Sequence, residues 1–155
     1  MRLAEPVAST WKASLSLEFC FENQKSTLRR NVHDGPLVVQ KPLYPVGSEV
    51  CHAIVAHPPG GIAGGDELTL NLIAGKGASV LLTTPGAAKW YRSSGPWAKQ
   101  AAQFDVQEVL EWLPQETIAF DGARAQTAYD VNLGAQAGII GWDIVCLGRT
   151  GCLVY

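Results

Sequence analysis

The chain has 155 residues, and its 12 Lys and Arg against 14 Asp and Glu give a formal net charge of −2. This near-neutral balance argues against a nucleic-acid or membrane-surface protein. Charged residues make up only 17% of the chain and hydrophobic residues 47%. The composition therefore excludes disorder and predicts extensive burial within a single domain spanning residues 1–155.

The first residues do not resemble a secretion signal, because Glu5 and Pro6 interrupt the apolar stretch that a signal peptide requires. No run of about 18 apolar residues, the length that a membrane-spanning helix needs, occurs in the sequence. We therefore expect a cytoplasmic protein that is not bound to a membrane.

Four cysteines, Cys20, Cys51, Cys146 and Cys152, are scattered without a C-x-x-C pair. This arrangement favours buried, reduced thiols over a zinc site or a disulfide framework. A disulfide between Cys146 and Cys152 is the less favoured alternative.

Alternating hydrophobicity predicts a mainly β fold, which begins with a half-buried strand over residues 11–21. No segment carries the sustained apolar stripe of a helix. Shorter strands with meander-like spacing are predicted over residues 28–33, 37–40, 50–56, 67–73, 79–84, 100–106, 109–113, 117–120, 128–133 and 139–147.

Turn signals such as Asp34-Gly35-Pro36, Gly75-Lys76-Gly77 and Asp121-Gly122 separate these strands. The gaps are too short and too rich in glycine and proline for the helical crossovers of a doubly wound α/β fold. We find no repeat of fixed period and no internal linker. The prediction is one body of layered short strands.

The most distinctive stretch is the glycine-rich loop over residues 57–66. Four glycines in six positions predict positive φ or a close approach to another surface. Gly60 and Gly65 have the spacing of a phosphate loop, but Asp66 and Glu67 stand where Lys and Ser or Thr are needed, and carboxylates repel phosphate. A stiff structural turn and a partner-contact loop remain equally good interpretations; the contact residues would be His57, Pro58, Pro59, Gly60, Gly61, Gly64, Gly65 and Asp66.

Metal binding is a weaker interpretation of the same region. Cys51, His52, His57 and Asp66 are ligand types for zinc, nickel or iron. Cys51 and His52 are consecutive in a predicted strand, however, so their side chains should point to opposite faces. We expect at most a transient metal contact at these four residues.

A second unusual segment, residues 89–92, places Lys89, Trp90, Tyr91 and Arg92 directly after a turn. Trp, Tyr and Arg dominate the energetics of protein–protein interfaces, which makes this segment a candidate partner-binding surface. Core burial of Trp90 or Tyr91 explains the pattern equally well. Trp112 and Trp142 are expected to lie in the core.

Catalytic motifs are missing from the sequence. There is no Gly-x-Ser-x-Gly, no catalytic cysteine signature and no evident Ser–His–Asp set. Glu108 and Glu111 are better explained as solvated charges than as a catalytic acid and base. No residue is assigned a catalytic role, and we expect a protein that is not an enzyme.

Several long motifs occur along the chain in a fixed order. They are Gly35-Pro36-Leu37-Val38-Val39-Gln40-Lys41-Pro42-Leu43-Tyr44-Pro45, Cys51-His52, residues 57–66, residues 81–93, Leu110-Glu111-Trp112-Leu113-Pro114-Gln115-Glu116, Phe120-Asp121-Gly122-Ala123, Gly141-Trp142-Asp143 and Leu147-Gly148-Arg149. Together these motifs, which cover about residues 10–149, resemble the urease accessory proteins of the UreD type, also called UreH.

The resemblance implies a mainly β fold of stacked or helix-like architecture and a maturation factor without enzymatic activity. Members of the family bind apo-urease and the accessory protein UreF, which recruits the nickel-carrying GTPase UreG. The implied role is a scaffold that assists nickel insertion into urease, with nickel in transit and no tightly bound cofactor.

Family members are about twice as long as these 155 residues, so the chain resembles the N-terminal half of a UreD-type protein. A sheet truncated after Arg149 should expose an unpaired strand edge and apolar surface. Two alternatives to the scaffold remain open. One is a small-ligand or carbohydrate-binding β domain, and the weaker one is a metal-dependent enzyme that uses His52, His57 and Asp66.

Overall fold

A computed structural model describes residues 10–148, which form fourteen strands and no helix. The mainly β prediction is therefore confirmed. The strands are β1 (Lys12–Glu22), β2 (Lys25–Asp34), β3 (Val38–Val39), β4 (Val50–Ala56), β5 (Gly61–Ile62), β6 (Glu67–Ala74), β7 (Ser79–Thr83), β8 (Ala88–Trp90), β9 (Ala98–Val106), β10 (Val109–Leu113), β11 (Thr117–Ala119), β12 (Ala125–Leu133), β13 (Gly138–Gly141) and β14 (Val145–Leu147).

From β4 onward the chain winds as a β-solenoid with three faces. Each of the first three coils contributes one strand to each of three sheets, and the described part of the fourth contributes β13 and β14. Strands of successive coils pair in parallel. Sheet I has the order β12-β9-β6-β1-β2, sheet II the order β13-β10-β7-β4-β3, and sheet III the order β14-β11-β8-β5. The short loops that looked like meander turns are the corners between faces.

The coils advance by a nearly constant number of residues. In sheet II, Val50 pairs with Ser79, Ser79 with Val109, and Val109 with Gly138, which gives steps of 29, 30 and 29 residues. The sequence showed no repeat of fixed period because the coil requires only apolar volume at inward positions and leaves residue identity free. The repeat of 29 or 30 residues is therefore visible in the strand pairing and not in the identity of the residues.

Inward-facing side chains stack in ladders along the solenoid axis. One ladder runs Leu17, Leu72, Phe104 and Val131 through sheet I. Leu72 and Phe104 are almost fully buried. Burying side chains of this size stabilises the fold by about 1.5–3 kcal/mol each. The first two coils therefore share one continuous apolar core, to which Leu110 and Trp112 of β10 in the third coil also belong.

Strands β1, β2 and β3 cover the first coil, and two of their pairings are antiparallel. Strand β1 pairs in parallel with β6 and antiparallel with β2, while β3 pairs antiparallel with β4. The inward residues of the other end are less covered: Tyr129 and Val131 in β12 are each 39% exposed, and Leu147 in β14 is 82% exposed. The expected apolar surface is present at this end of the described chain.

The predicted strand over residues 139–147 is split in two by a corner, so β13 and β14 lie on different faces. Trp142 stands at this corner and is 47% exposed, which contradicts its predicted place in the core. Its indole Nε1 donates to the carbonyl of Pro114 at 2.9 Å. Trp112, one coil earlier, is buried as predicted.

The described cysteines are free thiols. Cys51 is buried, Cys20 is partly buried and Cys146 is exposed in β14. Cys152 lies outside the described residues, so the Cys146–Cys152 alternative is not tested. In the part of the chain that the structure describes, no helix is long and apolar enough to cross a membrane.

Ser26 joins the covering strands to the first and second coils. It is fully buried, and its hydroxyl donates to the carbonyl of Glu49. The same Ser26 hydroxyl oxygen accepts from the Ser79 amide at 3.0 Å. The Tyr44 hydroxyl donates to the Ser26 carbonyl at 2.9 Å, and burial raises the pKa of Tyr44 to about 12, so it remains a donor at neutral pH.

Replacing Ser26 with Ala should destabilise the fold, because the Glu49 carbonyl and the Ser79 amide each lose a hydrogen-bond partner at a fully buried side chain. We expect a loss of about 1–3 kcal/mol in the free energy of unfolding, measured by urea denaturation. Ser14→Ala, on the exposed side of β1, is the matched control and should change stability by less than about 0.5 kcal/mol. Equal effects of the two substitutions would contradict this role.

Candidate functional site

The 57–66 loop owes its shape to Asp66. This residue is only 2% exposed, and its two carboxylate oxygens accept from the Trp11 amide at 2.7 Å and the Ala63 amide at 2.8 Å. Gly60 and Gly65 have φ of +73° and +95°, which a side chain would strain. Asp66 therefore holds the loop together and ties it to the chain before β1.

The loop and the 89–92 segment, predicted separately, meet in sheet III. Gly61 pairs with Lys89 and Ile62 with Trp90, because β5 and β8 are neighbours in successive coils. The Tyr91 amide then donates to the Ile62 carbonyl at 2.9 Å. The two candidate contact segments thus form one surface.

Glycine is required where these segments touch. A Cβ added at Gly61 would lie 2.1 Å from Cε2 of Tyr91, and one added at Gly64 would lie 2.1 Å from Oγ of Ser93. Because these loop positions are glycine, the side chains of the next coil can pack directly against the loop backbone. Close backbone approach, one of the two reasons predicted for the glycine content, is confirmed at these positions.

The residues of β8 divide between core and surface. Trp90 is 2% exposed, whereas Lys89, Tyr91 and Arg92 are exposed. Core burial is therefore confirmed for Trp90, and the partner-binding interpretation stays a prediction for the exposed residues. Trp90 contributes to the core, and the others remain available to a partner.

A third corner, residues 120–122, completes this surface. Phe120 stacks on Tyr91 with ring centroids 5.4 Å apart and planes within 3°. Arg92 is ion-paired with Asp121, and its Nε donates to the Asp121 carbonyl at 3.2 Å. We call Gly61, Lys89, Tyr91, Arg92, Phe120 and Asp121 the sheet III surface.

Sequence reasoning did not assign Phe120 or Asp121 to the site, although it noted their motif. The sequence signal at this corner was Asp121-Gly122, which was interpreted as a turn and as part of a family motif, without a role in the site. Gly122 has φ of +73°, and an added Cβ would lie 3.0 Å from Arg92 Nε, so this glycine leaves room for the arginine of the previous coil. Nothing within the local sequence shows that residues 92 and 121 become neighbours.

A cavity of about 290 Å³ lies behind the corner between sheets II and III. Residues that follow the sheet II strands of successive coils line it, namely His57, Thr84, Pro114 and Asp143. A second cavity of about 410 Å³ shares Trp112, Tyr129 and Asp143 with the first. Together the two cavities extend from the first coil to the less covered end.

Two buried nitrogens at this cavity have no hydrogen-bond partner among the described residues, Nε2 of His57 and Nε1 of Trp112. Buried polar groups without a protein partner are few in folded proteins and usually contact water or a ligand. Burial lowers the pKa of His57, against the opposing effect of the Asp66 charge, so the imidazole is neutral at physiological pH.

The residues weighed as transient metal ligands do not converge. Cys51 is buried while the adjacent His52 is on the outer side of β4, as the strand pattern predicted. Burial raises the pKa of the Cys51 thiol, which disfavours the thiolate that a metal needs. Across residues 10–148, no three His, Cys, Asp or Glu side chains form a group that could hold a metal ion.

Comparison with known proteins places these observations in a family. The model of the family described as "UreD urease accessory protein" matches residues 12–152. The chain belongs to this UreD family. The resemblance drawn from the motifs of residues 10–149 is thereby confirmed.

Curated relatives carry the same description. A "Urease accessory protein UreD" from Dechloromonas aromatica (strain RCB) is 56% identical over 142 residues, which is 90% of this chain and 49% of the relative. The proteins of that name from Delftia acidovorans (strain DSM 14801 / SPH-1) and Acinetobacter baumannii (strain SDF) are 51% and 48% identical and are matched over 48% and 50% of their lengths. The chain spans about half the length of the curated relatives it matches. Their names describe accessory proteins, not enzymes, which agrees with the predicted absence of enzymatic activity.

The lowered pKa of His57 predicts a pH-dependent stability. Between that pKa and its ordinary value of 6.5, the unfolded chain binds the proton more readily, so the free energy of unfolding should fall as pH drops through this window. His57→Gln should remove this component. The check is urea denaturation of both proteins between about pH 7 and about pH 5.

His33→Gln, an exposed histidine on β2, is the matched control for loss of an imidazole. If the free energy of unfolding of the parent, relative to that of His57→Gln, stays constant with pH or increases as pH falls, this assignment is contradicted.

Proposed function

We propose that this chain acts in urease maturation as a scaffold, binding apo-urease and the accessory protein UreF, and UreG through UreF. In this role it assists nickel insertion into urease and works in the cytoplasm. The observation that carries the proposal is the sheet III surface, which three successive corners of a UreD-family chain build from the two predicted contact segments.

The composition of this surface supports protein docking. Tyr91 is 47% exposed, although its ring is already fixed by Gly61 below and Phe120 beside it. A partner that covers a fixed ring loses less side-chain entropy than one that must order a mobile ring. Aromatic and arginine side chains are also the commonest hot spots of protein interfaces.

The paired cavities support the finer part of the proposal, a path for nickel as cargo. Neutral imidazole and carboxylate are suitable ligands for Ni²⁺, and His57 and Asp143 lie in different coils along the cavities. A path needs ligands that hold the ion weakly enough to release it. Separated single ligands meet that requirement better than a group of three or four would.

The small-ligand alternative has one specific observation in its favour. Trp112 and His57 present nitrogens that have no partner within residues 10–148 to a mostly apolar cavity, which is the usual character of a small-molecule pocket. Saturable binding of a monosaccharide in a thermal-shift titration, without any association with apo-urease, would favour this alternative. The metal-dependent enzyme is not retained, because both Asp66 oxygens already accept from backbone amides.

The scaffold is tested by affinity purification of the tagged chain with apo-urease and with UreF. The parent should retain both proteins, whereas the Tyr91→Ala/Phe120→Ala double variant should retain at least about tenfold less of one of them, since hot-spot truncations cost about 2 kcal/mol or more. Gly61→Ala, which displaces the Tyr91 ring, should act in the same direction. The eluted urease is then assayed for nickel.

Val32→Ala truncates an apolar side chain that is 52% exposed on β2, far from sheet III along the stack, and should bind like the parent. Circular dichroism must show that the variants remain folded. Failure of the folded parent to retain either protein would overturn the proposed function.

A further inference from the structure

Positive charge is concentrated beside the aromatic stack of the sheet III surface. Lys89 and Arg92 are exposed on and directly after β8, and Arg124 is exposed just beyond the third corner. Arg92 pairs with Ala123 in an isolated β-bridge, which places Arg124 next to the Arg92 backbone. Arg124 is fixed further by its Nη1, which donates to the Gly95 carbonyl at 2.9 Å.

These cations are poorly neutralised by the protein itself. Among residues 10–148, neither Lys89 nor Arg124 forms an ion pair, and the only acid paired within this group is Asp121. Glu116 and Asp143 lie at the end of sheet III that Lys89 approaches, because the Glu116 carbonyl accepts from the Ala88 amide and Asp143 lines the first cavity together with Lys89. Arg92 and Arg124 lie beyond the other end of the short strands. Two arginines and one carboxylate therefore flank the Tyr91–Phe120 stack, with Lys89 further along β8, on a chain whose formal net charge is −2.

The Arg92–Asp121 pair is fully accessible to a competing carboxylate. The Arg92 and Asp121 side chains are 71% and 83% exposed, so solvent screens their attraction. A guanidinium offers five N–H donors, and Asp121 does not use all of them. Asp121 therefore leaves Arg92 able to bind a second anion, with which the Asp121 carboxylate competes.

We propose that the sheet III surface, extended by Arg124, binds an acidic segment of a protein partner. Carboxylates of that segment would contact Lys89, Arg92 and Arg124, and a neighbouring apolar side chain would cover the Tyr91–Phe120 stack. Complementary charge steers such a segment to the surface, and the fixed aromatic rings supply the apolar contact. This inference rests on the proposed scaffold function and specifies the chemistry of the segment that docks.

The test is biolayer interferometry of the immobilised 155-residue chain against apo-urease and, separately, UreF as the probes. Arg92→Glu and Arg124→Glu should each weaken binding of one probe by roughly tenfold, mainly through slower association. Asp121→Asn, which removes the competing carboxylate, should tighten the same binding by about two- to threefold. A purely structural Arg92–Asp121 pair would instead make Asp121→Asn bind more weakly.

Arg29→Glu is the matched control, because Arg29 also pairs with an acid, Glu22, and is similarly exposed on β2. It should leave the affinity within about twofold of the parent, since exposed charges distant from an interface are screened. Raising the salt from about 50 to about 300 mM should weaken parent binding, and weaken that of Arg92→Glu less.

Binding that is unchanged in Arg92→Glu, or equally reduced in Arg29→Glu, would overturn this inference and leave the scaffold function standing. Self-association of the chain that the same variants abolish would assign the surface to a second copy and would also overturn it. No binding of either probe at any salt concentration would overturn both proposals.

Discussion

Hydrogen bonding between parallel strands of successive coils is the interaction on which every other feature of this protein depends. A strand of two residues, such as β5, is stable only because β8 pairs with it in register. The same register places inward side chains above one another and closes the core without any helix in residues 10–148. A shift of one residue would exchange the core and surface positions of a whole strand.

Both candidate functional features follow from this stacking. The sheet III surface contains residues from three coils, so no single corner is complete without its neighbours. Gly61 supports Tyr91, Tyr91 stacks on Phe120, and Gly122 leaves space for Arg92. The cavities likewise extend along the axis because each coil contributes one residue after its sheet II strand, from His57 to Asp143.

Local pattern was sufficient for the fold class and for most strands, including β4 and β10 with their observed bounds. It missed β5, which lies inside the glycine-rich loop, and β8, which follows Pro85-Gly86, because turn signals dominate both segments. It also suggested a meander where the pairing is parallel, since a strand's partner lies about thirty residues away and leaves no local mark. For the candidate site, the sequence indicated residues 57–66 and 89–92 as separate contact segments. Their proximity to each other and to Phe120 and Asp121 depends on the coil register, which the local sequence does not show.

The most direct test of this account is a nuclear Overhauser experiment on the isotopically labelled chain. Parallel stacking predicts backbone contacts between Leu70 and Ala102 and between Ala102 and Tyr129, which lie in β6, β9 and β12. It predicts no antiparallel pairing between consecutive strands such as β6 and β7. Antiparallel contacts between those two strands, with none between Leu70 and Ala102, would contradict the solenoid and the surface built on it.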